Sequence, residues 1–183
     1  MTGQIPDSVQ YRGHSYSLTG QEGEGLFDPA DHGIQPAVMS TACWRGFICE
    51  YTVVDGGLVL TELQLSVEGD PPTLFGVAPE RDELRDLIYR NLREPVRFTG
   101  RLLLGREFID GLYVHMGFQS SWKYQDVQEL EFENGHLTAV HDRSAEAAQR
   151  RAAPDPADAP PAHTDSEAVQ DWIKKTFSQD IDL

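Results

Sequence analysis

Two stretches alternate apolar and polar side chains on either side of a tight turn, and this constrains the fold more than any other feature of the chain. In residues 44–54, Phe47, Cys49, Tyr51 and Val53 alternate with Trp44, Gly46, Ile48, Glu50 and Thr52. In residues 58–67, Val59, Leu63, Leu65 and Val67 alternate with Glu62, Gln64 and Ser66. Period-two patterning puts one face of a strand on a core and the other toward water. Asp55-Gly56-Gly57 lies between the two runs; Asp and Gly tolerate the positive φ that a tight hairpin turn demands. The second pair covers 127–133 and 135–141. There Leu130 and Phe132 alternate with Glu129, Glu131 and Glu133, and Asn134-Gly135 is the strongest short hairpin signal available. A shorter hairpin is predicted over 9–12 and 14–18, around Gly13.

Between the two main hairpins the spacing predicts a helix over 80–93. Leu84, Leu87, Ile88 and Leu92 form one apolar stripe, Pro79 suits the first turn, and Pro95 stops the helix. A strand over 96–104 follows, with Val96, Phe98, Leu102 and Leu104 on one face, then a short strand over 112–116. After residue 144 the composition turns to Ala and Pro. Residues 144–151 read as a frayed helical turn, and Pro154, Pro156, Pro160 and Pro161 then favour a semi-extended linker. Beyond it, Val169, Trp172, Ile173 and Phe177 fall on one helical face. Thr164 with Glu167 fits a capping box, with Asp165 and Ser166 as alternative caps. Lys174 and Lys175 sit late in this helix, where they complement its dipole.

The fold class expected is therefore mainly β (α+β): an antiparallel, partly closed sheet or barrel-like body with one central helix and an appended C-terminal helix. Residues 1–144 form the β-rich domain, 145–164 the linker and 165–183 the amphipathic helix.

Charge narrows the function classes. The 183 residues carry 30 Asp and Glu against 15 Lys and Arg, a formal net charge of −15. A surface this negative repels phosphates, so no nucleic-acid partner is expected. The apolar stretch 46–54 is short and interrupted by Glu50, whereas a membrane helix needs about 20 apolar residues; no membrane partner is expected. The first residues have neither a basic nor an apolar signal region, which points to a cytoplasmic location. Cys43 and Cys49 are spaced C-x5-C, unlike a zinc knuckle or a redox pair, and read as partly buried thiols in a reducing compartment. Walker A, G-x-G-x-x-G and G-x-S-x-G patterns do not occur, so no cofactor is expected. The glycines of 20–25 are interleaved with Glu22 and Glu24, which would repel a phosphate.

The segment 25–43, GLFDPADHGIQPAVMSTAC, has no periodicity and is long for an irregular connection. Such segments are often functional. Asp28, Asp31, His32, Ser40, Thr41, Cys43 and Trp44 lie in or beside it. It reads either as a binding or catalytic loop or as a structural loop whose Leu26, Phe27, Ile34 and Met39 complete the core. Its sharpest chemistry is a Cys43 nucleophile deprotonated by His32 or His115, with Asp31 or Asp28 orienting the imidazole. Acidic neighbours work against that, because they raise a thiol pKa. Asp28, Asp31 and His32 could also be joined by His115, His136 or His141 around a metal, but no ligand spacing supports a site, and no metal is expected. Arg81, Arg85, Arg90, Arg93, Arg97, Arg101 and Arg106 form a local basic run. It either binds an oxyanion or pairs with Glu80, Asp82, Glu83, Asp86 and Glu94 on a solvated helix face.

Two function classes follow. In the first, an acidic cytoplasmic interaction protein binds a protein partner with a basic surface, as an immunity-type or regulatory antagonist. Its contact residues are Asp28, Asp31, His32 and Trp44 on the 25–45 loop, Val169, Trp172, Ile173 and Phe177 on the C-terminal helix, or both. In general type, not through any motif, such a small acidic β-rich domain resembles bacterial immunity proteins that neutralise toxins. The alternative is a small enzyme or ligand-binding barrel whose site is formed by the 25–45 loop, which requires Asp31, His32, Cys43 and Trp44 to converge. The apolar stripe of the C-terminal helix has two destinations open to it, a groove on its own domain or a groove on a partner.

Overall fold

The computed structural model describes residues 2–69, 72–81, 86–153, 158 and 166–183. Nine strands follow in order: β1 (Ser8–Tyr11), β2 (His14–Glu24), β3 (Phe47–Val54), β4 (Gly57–Leu65), β5 (Glu80–Arg81), β6 (Leu87–Pro95), β7 (Thr99–Phe108), β8 (Tyr124–Glu133) and β9 (His136–Asp142). Two helices come last, α1 (Ser144–Ala152) and α2 (Ser166–Phe177). The strands make one sheet in the order β3-β1-β2-β7-β8-β9-β4-β6-β5, and an additional β3–β4 pairing curls it into a ring. The ring is partly closed, as expected. β1 and β3 pair in parallel, so the sheet is mixed where the sequence suggested purely antiparallel strands. No helix among the described residues is long and apolar enough to cross a membrane.

The predicted hairpins form where their turn chemistry puts them. Arg12-Gly13, Asp55-Gly56 and Asn134-Gly135 all have positive φ at both positions, the conformation that matches the twist of two flanking strands. Gly135 also joins the ring together. Its N–H donates to Phe98 O at 2.7 Å and its carbonyl accepts from Leu58 N at 2.8 Å. A Cβ there would lie 2.2 Å from Val96 O, so only glycine permits this approach.

Two expectations are corrected. The stretch predicted as a helix over 80–93 holds β5 and β6, with Leu84 outside the described residues. β6 pairs with β4, and between Leu60↔Glu94 and Glu62↔Arg90 one residue of β4 faces three of β6. Asn91 and Arg93 absorb the extra length at φ 57° and 55°. The irregularity breaks period-two patterning and leaves Leu87, Ile88, Tyr89 and Leu92 buried, a spacing that imitates a helix. The helix of the domain is α1 instead. It spans the stretch read as a frayed helical turn over 144–151, with Ala147 fully buried. Asp142 Oδ1 accepts from Ser144 N at 2.9 Å at its start, and Arg151 donates to the carbonyls of Trp122 at 2.6 Å and Tyr124 at 2.7 Å near its end. The four linker prolines and the capping residues Thr164 and Asp165 lie outside the described residues. Finally, 112–116 is not a strand: Asp110–Leu112 is a 3-10 turn and irregular chain follows.

The core has two parts. The larger lies inside the ring and includes Val9, Leu18, Cys49, Tyr51, Leu60, Leu63, Tyr89, Phe98, Leu102, Leu104 and Leu130. A smaller cluster of Leu103, Tyr124, Val127 and Ala147 packs against Phe108, Trp122 and Ile181. Leu102, Leu103 and Leu104 are each 0% exposed. Neighbouring strand residues point to opposite faces, so β7 is covered on both sides: by the ring interior on one, and by α1 and the chain after α2 on the other. The basic run is also placed by the sheet. Arg90 pairs with Glu62, Arg101 with Glu22 and Arg106 with Asp126, across strands where helix-face pairing was expected.

Candidate functional site

Segment 25–43 contains one short element, the 3-10 turn Pro29–His32. Asp28 starts it by accepting from Ala30 N at 2.8 Å, and Gly33 ends it at φ 73°. The rest runs as irregular chain apart from a lone bridge between Ser40 and Cys43. Asp28, Asp31, His32, Ser40 and Thr41 are exposed, while Ile34 is buried and Leu26 and Phe27 pack on the ring core. Leu26, Phe27 and Ile34 thus complete the core, as the structural alternative anticipated, while Asp28, Asp31, His32, Ser40 and Thr41 face solvent. His32 stacks on Phe27 at 5.0 Å and meets the edge of Phe75 at 5.0 Å.

The residues proposed for a Cys-His site occupy separate environments. Cys43 is 1% exposed and its thiol donates to Phe47 O at 3.4 Å. Burial is the main cause holding its pKa above the usual thiol value, which disfavours the nucleophilic thiolate. His32 packs among phenylalanines, and His115 lies edge-on to Tyr113 at 4.9 Å. Neither histidine is a hydrogen-bond partner of Cys43 among the described residues. Among the described residues, no side-chain hydrogen bond or ring contact joins Asp31, His32, Cys43 and Trp44 to one another.

What anchors the segment is a buried ion pair that spacing did not reveal. Asp7 is 4% exposed and accepts from both terminal nitrogens of Arg45 and from Cys49 N at 2.6 Å. Arg45 also donates through Nε to Phe47 O at 2.8 Å and lies over the Phe47 ring at 4.7 Å. Burial raises the Asp7 pKa, while Arg45 and the Cys49 N–H pull it down. Next to this pair, Trp44 donates its backbone N–H to Gln4 Oε1 at 3.0 Å and remains 45% exposed.

The C-terminal helix docks on its own domain. Phe177 stacks on Trp44 with ring centroids 5.0 Å apart. Phe118 N donates to Thr176 O at 2.8 Å, and Gln21 N to Gln179 O at 2.6 Å. Gln179 Nε2 returns a bond to Leu18 O at 2.9 Å, and the Ser121 hydroxyl donates to Asp182. Val169, Trp172, Ile173 and Phe177 are all half-buried, whereas Gln170, Asp171, Lys174 and Lys175 are exposed. The predicted stripe lies half-buried, with Phe177 against Trp44 and the Trp172 indole donating to Asp158 O at 3.4 Å.

Among the described residues, one group could present three ligand atoms within 4.8 Å of one another: Glu129, Glu131 and His141. Buried Glu129 is already held by Arg143 at 3.2 Å and Arg101 at 3.8 Å, and Glu131 by His141 at 3.2 Å. The arginines account for its burial without an ion. Compared with protein-family models, curated proteins and solved structures, the chain matches none.

Proposed function

We propose that this chain is a non-catalytic interaction protein that binds a protein partner with a basic surface, as an immunity-type or regulatory antagonist. The observation that carries this reading is the Trp44–Phe177 stack. It joins the irregular segment to α2, so the two stretches singled out separately become neighbours on one face. Val38 at 67% and Trp44 at 45% exposure supply apolar contact area there. Asp28 and Asp31, both exposed, supply charge, and the net charge of −15 favours fast encounter with a cationic surface. Aromatic anchors surrounded by charge are how interfaces concentrate binding energy.

The test is affinity capture from the native cell with three baits: the wild-type chain, Trp44→Ser, and Asp28→Asn/Asp31→Asn. Wild type is expected to hold a basic protein that is released as ionic strength rises. The Trp44 variant should lose about tenfold or more in affinity for it, and the double Asn variant should bind more slowly with a flatter salt response. Equal retention by all three baits, or salt-independent retention, would overturn the reading.

A further inference from the structure

A cavity of about 430 Å³ lies between the domain and the docked C-terminal segment. Small-molecule sites commonly fall in the range of about 300–1,000 Å³ and combine flat apolar walls with a few fixed polar groups. Trp122 contributes an indole from the domain and Trp172 a second from α2, with Leu112, Phe118 and Ile181 adding further apolar wall.

The polar groups of the wall are not equivalent. Arg150 and Lys175 both pair with Asp158, and Asp182 is held by Ser121. Lys123 differs. It is 5% exposed, and among the described residues no carboxylate lies within ion-pair distance of it. Its Nζ donates to Gln119 Oε1 at 3.0 Å and sits 5.5 Å from the Trp122 ring centroid. Gln119 is itself fixed, accepting from Val114 N at 3.1 Å and donating to Val114 O at 2.7 Å. An ammonium has three donors, so one amide acceptor leaves coordination to spare at the cavity wall. Burial without a counter-ion is unfavourable for a charge; it pushes the Lys123 pKa down, against the pull of Asp182 and Asp158.

We propose that this cavity binds a small aromatic monoanion, with its anionic group on Lys123 Nζ and its flat apolar body beside the indoles of Trp122 and Trp172. A single negative charge fits better than several. The lining cations Lys123, Arg150 and Lys175 face the carboxylates Asp158, Asp180 and Asp182, so the wall has no excess positive charge to hold a polyphosphate. The ligand supplies the contact counter-ion that no described carboxylate supplies, and residues of the C-terminal segment form part of the wall around it. The site shares α2 with the proposed partner surface through Trp172, but its anion anchor Lys123 lies outside both partner-contact stretches.

The probe is 8-anilinonaphthalene-1-sulfonate, an aromatic monoanion, with N-phenyl-1-naphthylamine as its uncharged counterpart and 1-naphthoate as a competing carboxylate. The full chain is expected to bind the sulfonate saturably at one site, with energy transfer from tryptophan, and 1-naphthoate should displace it. Lys123→Met should weaken the sulfonate at least about tenfold, leave the uncharged probe unchanged and keep a cooperative thermal transition. Lys123→Arg should retain the preference for the anion. Lys174→Met, at an exposed position outside the cavity, should bind as wild type. If Lys123→Met does not fold, Trp172→Ala on the peripheral helix takes its place and should weaken both probes. Non-saturable binding, equal affinity for charged and uncharged probes, or a full-affinity Lys123→Met chain would overturn the proposal. None of these readouts depends on a protein partner.

Discussion

Replacing Arg45 with methionine is expected to destabilise the fold by about 3–5 kcal/mol, the usual loss when one member of a buried ion pair is removed and the other stays behind. The Asp7 side chain is 6% exposed and Arg45 26%, so the carboxylate left behind would have little water to turn to. The loss should depend on pH in a defined direction. Burial already holds the Asp7 pKa above its usual value of 3.8, and Arg45 opposes that rise; without Arg45 the folded-state pKa climbs further. A folded-state pKa above the unfolded one means that the native chain holds more protons through that window. Stability is then greatest below the unfolded value and falls as pH rises through the folded one. Arg45→Met should therefore be least damaging near pH 4, around the unfolded value of 3.8, and more damaging as pH rises from there. Asp7→Asn in the same background should recover part of the loss. Urea unfolding at a series of pH values measures all three chains; a penalty that is flat or shrinks toward high pH would show that Asp7 is not the group left uncompensated.

Gly117→Ala is expected to release the C-terminal segment while the ring stays folded. Gly117 has φ 66°, and a Cβ there would lie 2.1 Å from Thr176 O and 2.3 Å from Thr176 Cγ2. The positive φ strains alanine whether or not the tail is docked, but the collision with Thr176 exists only in the docked state, so it acts on docking alone. Trypsin should then cut after Lys174 and Lys175 at least about tenfold faster, since cleavage follows the population of the open form. Gly111→Ala is the control, because nothing lies within 4 Å of that position. Equal cleavage rates for wild type and Gly117→Ala would mean that the close approach is not what holds the tail.

The parts of the fold legible in sequence were those whose physics is local. Asp55-Gly56 and Asn134-Gly135 bend the chain by their own backbone preferences, and the alternation beside them needs only one buried face. β6 imitates a helix because its two extra residues shift Leu92 onto helical spacing, and a bulge is specified by the partner strand β4, not by β6 alone. Leu102-Leu103-Leu104 carried a usable signal: an unbroken apolar run fits a strand covered on both faces, and only alternate members were read as core. The 25–43 segment was recognisable because it lacks any period. The Asp7–Arg45 pair and the Lys123 cavity were not, since their members come from separate stretches with no motif, and only the closed ring and the docked tail bring them together.

The ring has one weak seam. β9 is paired along its length with β8, but among the described residues it meets β4 only at Gly57↔His136, because β6 takes up the rest of that edge. A barrel zipped by one rung should breathe there first. In deuterium the backbone amides that β9 turns away from β8, apart from Leu137 N, which donates to Gly56 O at 2.7 Å, should exchange ahead of those in β7, which is hydrogen-bonded on both sides. Thermal fluctuations would thus open this cylinder along a fixed line, with the turn at Asn134-Gly135 acting as its clasp.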